Sequence, residues 1–484
     1  MDKNKIIKSL FYKFTERFAV KGVGMVIGIL LARLIAPEVF GQVVILTVCA
    51  DLSLTLVEGG LNTALVQSRE CDDRDYSTVF YITLVLSGAV IAAMQFLAPL
   101  IARFYKSPEM ALPLRVYIFS LLFSSFNSIQ VAQLQRDMRF REMMFCSLAA
   151  TVAAGSLGLL LAWRGAGVWA LTAYYFSQVV CSCAAMFLVL RWLPKSRFSR
   201  DSARRLYGFG IRMLAASLIT SIYNNIRPLI IGRRFTTADL GYYNRGQTFA
   251  STVSLNLDSA VQSVMFPAMA RTQDNPAQVS AMFRRAKAMG AFLIFPVMLG
   301  MAAVAEPMVR LLLTDKWLPA VPFVVLLSLG EAQVPLTSTN LILVKAMGRS
   351  DLYARQEVLR RALMLIVLAV SVLGFHSVRA IAAGFLISAW LDAFVTLLPV
   401  RKLIGYGMGD QLRDVWKSGV SALLMAAAVY ALGRLALPLA VKLAAQVLLG
   451  GAVYALFNLG LKNENLTYLL NTLRGLLHRR AAGN

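Results

Sequence analysis

Residues 31–41 read Leu31-Ala-Arg-Leu-Ile-Ala-Pro-Glu-Val-Phe-Gly41, and QVVILTVCADLSLTLVE follows as residues 42–58. One apolar run closes at Leu34, Ala36-Pro37 interrupts it, and a second run follows with only Asp51 and Glu58 as charges. Continuous apolar runs of this length are those of helices that cross a bilayer, which need roughly 20 such residues. The strands of a membrane barrel would alternate instead. The same stretch returns later in the chain. At a shift of 200, Ile231-Gly-Arg-Arg-Phe235 lies on Leu31–Ile35, Leu240-Gly241 on Phe40-Gly41, and Asp258 on Glu58. At a shift of 209, Ala320-Val-Pro322 lies on Ala111-Leu-Pro113, and Lys345 on Arg136. Ordered matches of this kind indicate an internal duplication.

The composition agrees. Of 484 residues, 58% are hydrophobic and 15% charged, against roughly 45–50% and 25% in soluble domains. Mean hydropathy is +0.64. That apolar content supplies about fourteen spans of roughly 20 residues. The segments fall near 15–35, 40–66, 77–102, 111–135, 142–163 and 167–190, then 208–231, 240–268, 288–313, 320–346, 357–375 and 378–400. Two more lie near 415–433 and 436–460. The expected fold is an all-α integral membrane protein of about 14 transmembrane helices. Because six is even, two six-helix lobes enter the membrane in the same direction, as a parallel pseudo-repeat around a central cavity. The expected division is an N-terminal lobe at 1–190, a basic linker at 191–207, a C-terminal lobe at 208–400, and two extra helices with a basic tail at 401–484.

Forty-nine Lys and Arg stand against 25 Asp and Glu, a formal charge of +24. In this context the excess reads as inner loops obeying the positive-inside bias, with a basic cavity for an anionic substrate as the alternative. Arg136, Arg139, Arg141, the 191–205 cluster, Arg284, Arg285, Lys287, then Lys345, Arg349, Arg355, Arg360 and Arg361, and Arg401 with Lys402 fall on one side, with few cations on the other. Both termini are therefore expected in the cytoplasm. The run from Phe18 to Leu34 shows no small-residue cleavage site, so a retained first helix is expected. Cys49, Cys71, Cys146, Cys181 and Cys183 form no framework or metal spacing, and His376 and His478 are the only histidines. No metal, cofactor or nucleic-acid partner is expected.

No loop offers room for a catalytic domain, and no Gly-x-x-x-x-Gly-Lys-Ser/Thr stretch occurs. Asp73-Arg74-Asp75 has the spacing of a metal–sugar-nucleotide motif, but without a nucleotide fold it reads as solvated loop. The chemistry is expected at ionisable residues inside apolar segments, which are costly in lipid and face a cavity or a partner. Arg17, Lys21, Arg115, Arg212 and Arg227 could line a cationic cavity, since a guanidinium suits phosphate and keeps its charge when partly buried. Snorkelling towards the interface is the plain alternative. Asp51, Glu58 and Asp258 suit a gate or an H+ or Na+ coupling site, against structural pairing with a neighbouring cation. Ser124, Asn127 and Gln130 suit sugar contacts or, more often, helix–helix hydrogen bonds.

Taken in order, Leu31–Gly41, Arg136-Asp-Met-Arg-Phe140, Gly165-Ala-Gly-Val-Trp-Ala170, Ile230-Ile-Gly-Arg233, Leu240-Gly-Tyr-Tyr-Asn-Arg-Gly-Gln247, Phe266-Pro267 and Asp315-Lys-Trp-Leu-Pro319 resemble the polysaccharide transporter (Wzx-like) flippase family. That family sits within the multidrug/oligosaccharidyl-lipid/polysaccharide exporter superfamily, and the likeness is to its colanic and teichuronic acid exporter branch. The resemblance covers nearly the whole chain. It implies a non-enzymatic flippase of the inner membrane that moves undecaprenyl-diphosphate-linked oligosaccharide for lipopolysaccharide, capsule or exopolysaccharide. The implied partners are that lipid-linked substrate and a polysaccharide polymerase with its export machinery. A multidrug or lipid-precursor exporter on the same fold is the first alternative, although organic cations would favour an acidic cavity. A membrane polymerase is the second, although its long outer loop has no counterpart here.

Overall fold

A computed structural model describes residues 3–68, 71–272 and 275–467, the side chains of 3–18, 67, 206–209, 211–212, 264 and 276 excepted. Every regular element among the described residues is helical. The chain divides into two compact units, Met1–Gly241 and Tyr242–Asn484.

Unit 1 holds α1 (Lys3–Leu34), α2 (Pro37–Glu58), α3 (Leu61–Gln67), α4 (Asp73–Phe104), α5 (Ala111–Ile118), α6 (Ser120–Arg136), α7 (Phe140–Trp163), α8 (Val168–Leu190) and α9 (Arg200–Arg234). α10 (Thr237–Arg271) begins in unit 1 and runs into unit 2. Unit 2 continues with α11 (Pro276–Ala303), α12 (Ala305–Leu313), α13 (Val321–Glu331), α14 (Val334–Ala346), α15 (Ser350–Gly374), α16 (Val378–Ile404), α17 (Met408–Gly433) and α18 (Leu439–Gly460).

All fourteen predicted segments fall on helices. Ten segments among the described residues are long and apolar enough to cross a membrane. The four outside that set are α1, α9, α10 and α15. Each carries ionisable residues along its length: Lys21 in α1, Arg227 in α9, Arg245 and Asp258 in α10, Arg360 and Arg361 in α15. Within the predicted second span, α2 stops where Gly59 and Gly60 both take left-handed backbone, φ 51° and 75°. That conformation costs glycine little, so the chain turns there and restarts as α3.

Prolines inside the spans free carbonyls, because each removes the N–H that would reach four residues back. In hydrocarbon such a carbonyl needs another donor. Pro296 in α11 frees Phe292, whose carbonyl accepts from the Tyr454 hydroxyl of α18 at 2.8 Å. Pro99 in α4 frees Gln95, whose carbonyl accepts from Nε of Arg115 in α5 at 3.0 Å.

The start of α4 organises the segment that follows α8. Asp72 caps the helix and Asp75 completes a capping box. Asp75 is 1% exposed, and Nη2 of Arg205 donates to both its oxygens at 2.6 Å. The Ser196 and Ser199 amides donate to Ser77 and Thr78, and Trp192 packs edge-on against Phe80. The Asp-x-Asp stretch is therefore a helix cap with its second carboxylate buried. The reading as a solvated loop is corrected, and no paired acceptor for a metal is presented.

Candidate functional site

In unit 1 a polar contact joins α2 to α9. Asp51 is exposed on α2, and its Oδ2 accepts from the Ser221 hydroxyl at 2.7 Å and the Asn225 amide at 2.9 Å. Ser221 and Asn225 are four apart, so one face of α9 presents both donors. Arg227, two residues further, is 9% exposed. A guanidinium at that burial is held by polar partners, since an unpartnered buried charge costs several kcal/mol or more. Glu58 is half-buried in the last turn of α2, directly before left-handed Gly59.

The other predicted cations are dispersed. Lys21 is exposed on α1, and half-buried Arg115 caps the Gln95 carbonyl. The side chains of Arg17 and Arg212 lie outside the described residues. The polar face of α6 meets α8: the Ser182 hydroxyl donates to Asn127 at 3.3 Å, and Gln130 is fully buried. These are helix–helix contacts.

In unit 2, Asp258 on α10 is 6% exposed. Its carboxylate accepts from Gln262 one turn on and from Ser338 of α14. Above it on the same helix, Ser254 donates to Glu331 at the end of α13 at 2.6 Å. Glu331 sits where α13 gives way to α14, a break that also frees the Leu329 carbonyl for Nε1 of Trp390 at 3.0 Å. Arg360 of α15 is paired with Glu357 at 2.9 Å and with Asp392 of α16 at 3.1 Å.

The most buried Lys, Arg, Asp or Glu side chain among the described residues is Lys287, which the sequence places among the inner-loop cations. It is 0% exposed. Its Nζ donates to Asn340 Oδ1 of α14 and Gln411 Oε1 of α17, each at 2.7 Å. It also lies 4.6 Å and 4.9 Å from the ring centroids of Phe283 and Tyr406, cation–π distances. Nearby, Arg284 grips Asp414 through Nε at 3.0 Å and Nη2 at 2.8 Å, and the Tyr406 hydroxyl donates to the same carboxylate at 3.0 Å. Burial, then the charge of Asp414, pushes the Tyr406 hydroxyl up from its ordinary value, so it stays a donor. The sequence places the span from 288, one residue past Lys287, whereas α11 begins at Pro276. The signal was there in Asn340 and Gln411, two amides inside or beside apolar runs.

Among the described residues no group of three or more His, Cys, Asp or Glu side chains is placed to hold a metal. What the described residues offer is buried hydrogen bonding between helices, as at Lys287, Asn340 and Gln411 and at Asp258 and Ser338.

Comparison with known proteins follows the same line. A profile of the family described as "Polysaccharide biosynthesis protein" matches residues 30–322. The chain is 25% identical over 379 residues to the succinoglycan biosynthesis transport protein ExoT of Rhizobium meliloti (strain 1021), covering 78% of this chain and 74% of that one. It is 26% identical over 365 residues to the teichuronic acid biosynthesis protein TuaB of Bacillus subtilis (strain 168), covering 73% and 74%. It is 23% identical over 443 residues to the lipopolysaccharide biosynthesis protein WzxC of Escherichia coli (strain K12), covering 89% and 88%. Among solved structures, lipid II flippase MurJ in its inward closed conformation superposes with a TM-score of 0.75 at 14% identity, covering 93% and 98%. An inward-facing multidrug resistance MATE transporter of the MOP superfamily gives 0.60 at 17%, covering 80% and 94%. At those identities the likeness is one of fold.

Proposed function

The chain belongs to the polysaccharide biosynthesis protein family, and from that premise we propose that it moves an undecaprenyl-diphosphate-linked oligosaccharide across the cytoplasmic membrane by alternating access. At the coarser level it is a multi-pass membrane transporter of polysaccharide biosynthesis and not an enzyme. The observation that carries the finer reading is Arg227, a guanidinium only 9% exposed within α9.

Moving a diphosphate through hydrocarbon requires its desolvation, at several kcal/mol or more per charge. Cations within a hydrated cavity lower that cost while the polyprenyl chain stays in lipid. Arg17, Lys21, Arg212 and Arg227 are the groups assigned to the diphosphate. Arg115 joins them only through its outer nitrogens, its Nε being committed to Gln95. Asp51 and Glu58 on α2, with Asp258 on α10, are assigned to the gate or to exchange of H+ or Na+. Ser221 and Asn225 strap α9 to α2 through Asp51, a link that protonation or cation binding would loosen. Both termini and the Lys/Arg-rich loops face the cytoplasm in this reading, and a polysaccharide polymerase takes over the product on the other side.

The test is the leaflet location of the lipid-linked glycan in cells depleted of the protein. Complete lipid-linked units held on the cytoplasmic face support translocation. Normal translocation, with single unpolymerised units outside, would overturn it in favour of a polymerase.

A further inference from the structure

Unit 2 carries a second polar feature that the transport reading leaves unused. Residues 284–288 of α11, residues 413–417 of α17 and the turn after α18 line a cavity of about 670 Å³. Four cations line it (Arg284, Arg285, Arg413 and Lys417) against two carboxylates, Asp414 and Glu464, a formal excess of two positive charges. Asp414 is already held by Arg284 and Tyr406, so the wall is preorganised. Lys417 Nζ donates to the Lys462 carbonyl at 3.2 Å, and Asn463 donates to Ser418 at 3.2 Å, which pins the turn after α18 against α17.

Depth decides what such a cavity meets. All three contributing helices are long and apolar enough to cross a membrane, and the cavity sits where their apolar runs end. Trp416 also lines it and is 45% exposed. Tryptophan concentrates at headgroup level, where one face is apolar and the other wet. Basic pockets between spanning helices at that level take acidic lipid headgroups. The chain's own tail is a poor occupant, since Arg474, Arg479 and Arg480 repeat the charge of the pocket.

We propose that this cavity binds the phosphate of an acidic phospholipid, drawn from the leaflet on the side of the Lys/Arg-rich loops. The guanidinium groups supply forked donors to the phosphate oxygens, the lysine supplies a point charge, and Trp416 rests against the glycerol backbone.

The full-length protein in detergent is titrated with cardiolipin, phosphatidylglycerol or phosphatidylcholine, and retained lipid is counted by native mass spectrometry. One acidic phospholipid is expected to bind well above phosphatidylcholine. At about fivefold per cation, the triple variant Arg285→Gln, Arg413→Gln, Lys417→Gln should bind it on the order of 100-fold more weakly. The charge-keeping set Arg285→Lys, Arg413→Lys, Lys417→Arg should retain most of the affinity, and Arg164→Gln, in a loop of unit 1, should change nothing. Wild-type retention by the triple variant, or equal loss with Arg164→Gln, overturns the site. Inorganic phosphate is the second arm. If it competes only at far higher concentration, the source is lipid. If it competes as tightly as the phospholipid, the headgroup assignment is overturned in favour of a free anion.

Discussion

Gly41 and Gly241 meet reciprocally. A Cβ on Gly41 would overlap the carbonyl oxygen of Thr237, the first residue of α10, and a Cβ on Gly241 would overlap that of Pro37, the first residue of α2. Each glycine is the fifth residue of its helix, and the two helices exchange the same contact. Small residues let membrane helices approach backbone to backbone, and here no side chain larger than hydrogen fits on either side.

Either Gly41→Ala or Gly241→Ala should therefore destabilise the protein by about 1–3 kcal/mol or more, the range for overpacking a fixed contact. Gly22, with nothing within 4 Å of a built Cβ, is the control. Thermal melting in nanodiscs should show a lower Tm for the first two and an unchanged one for Gly22→Ala. A Tm loss for all three equally would remove the argument.

This contact is also where sequence and structure agree most closely. The shift of 200 that places Gly241 on Gly41 was legible from the repeat alone, and so were the helices, because apolar runs of span length have few other readings. Charges near span ends were not legible. Lys287 lay one residue outside its predicted span and so was grouped with exposed loop cations, whereas its burial depends on Asn340 and Gln411 arriving from helices far off in sequence. Asp75 was hidden the same way, since Arg205 comes 130 residues later. Arg115 was legible as an unusual cation but not as the donor to a carbonyl freed by Pro99, which needs the pairing of α4 with α5.

Lys287→Met removes the charge at similar volume and leaves two buried amide oxygens without their donor. Each such loss costs about 1–3 kcal/mol, so a clear fall in Tm is expected. Adding Asn340→Leu and Gln411→Leu should recover part of it, because replacing a whole buried polar group by apolar residues is often neutral. Strict additivity of the three changes would show that the cluster does not act as a unit.

Arg115 caps the Gln95 carbonyl, and its proposed role at the diphosphate can be separated from that contact. Arg115→Ala should cost about 1–3 kcal/mol through the bare Gln95 carbonyl. In a Pro99→Ala background the restored N–H of residue 99 can serve that carbonyl, so the same change should cost much less. If transport still falls in the double variant while stability recovers, the diphosphate role stands on its own. Recovery of both would confine Arg115 to capping.

Asp51→Asn keeps an oxygen for Ser221 and Asn225 while deleting the charge. Stability should move by no more than about 1 kcal/mol, the net worth of an ordinary hydrogen bond. Transport should fall at least tenfold and lose its dependence on the ion gradient. Unchanged transport with an unchanged gradient dependence would take Asp51 out of the gate.

The central claim is that a buried cation in α9 carries a diphosphate across the membrane. Proteoliposomes holding the purified protein and an undecaprenyl-diphosphate-linked oligosaccharide on one leaflet give the direct measurement, read as the rate at which the glycan becomes accessible on the other. Wild type should transfer it, Arg227→Lys should retain part of the rate, and Arg227→Gln should fall to the rate of protein-free vesicles. Transfer by Arg227→Gln at the wild-type rate, in correctly folded protein, would contradict the account.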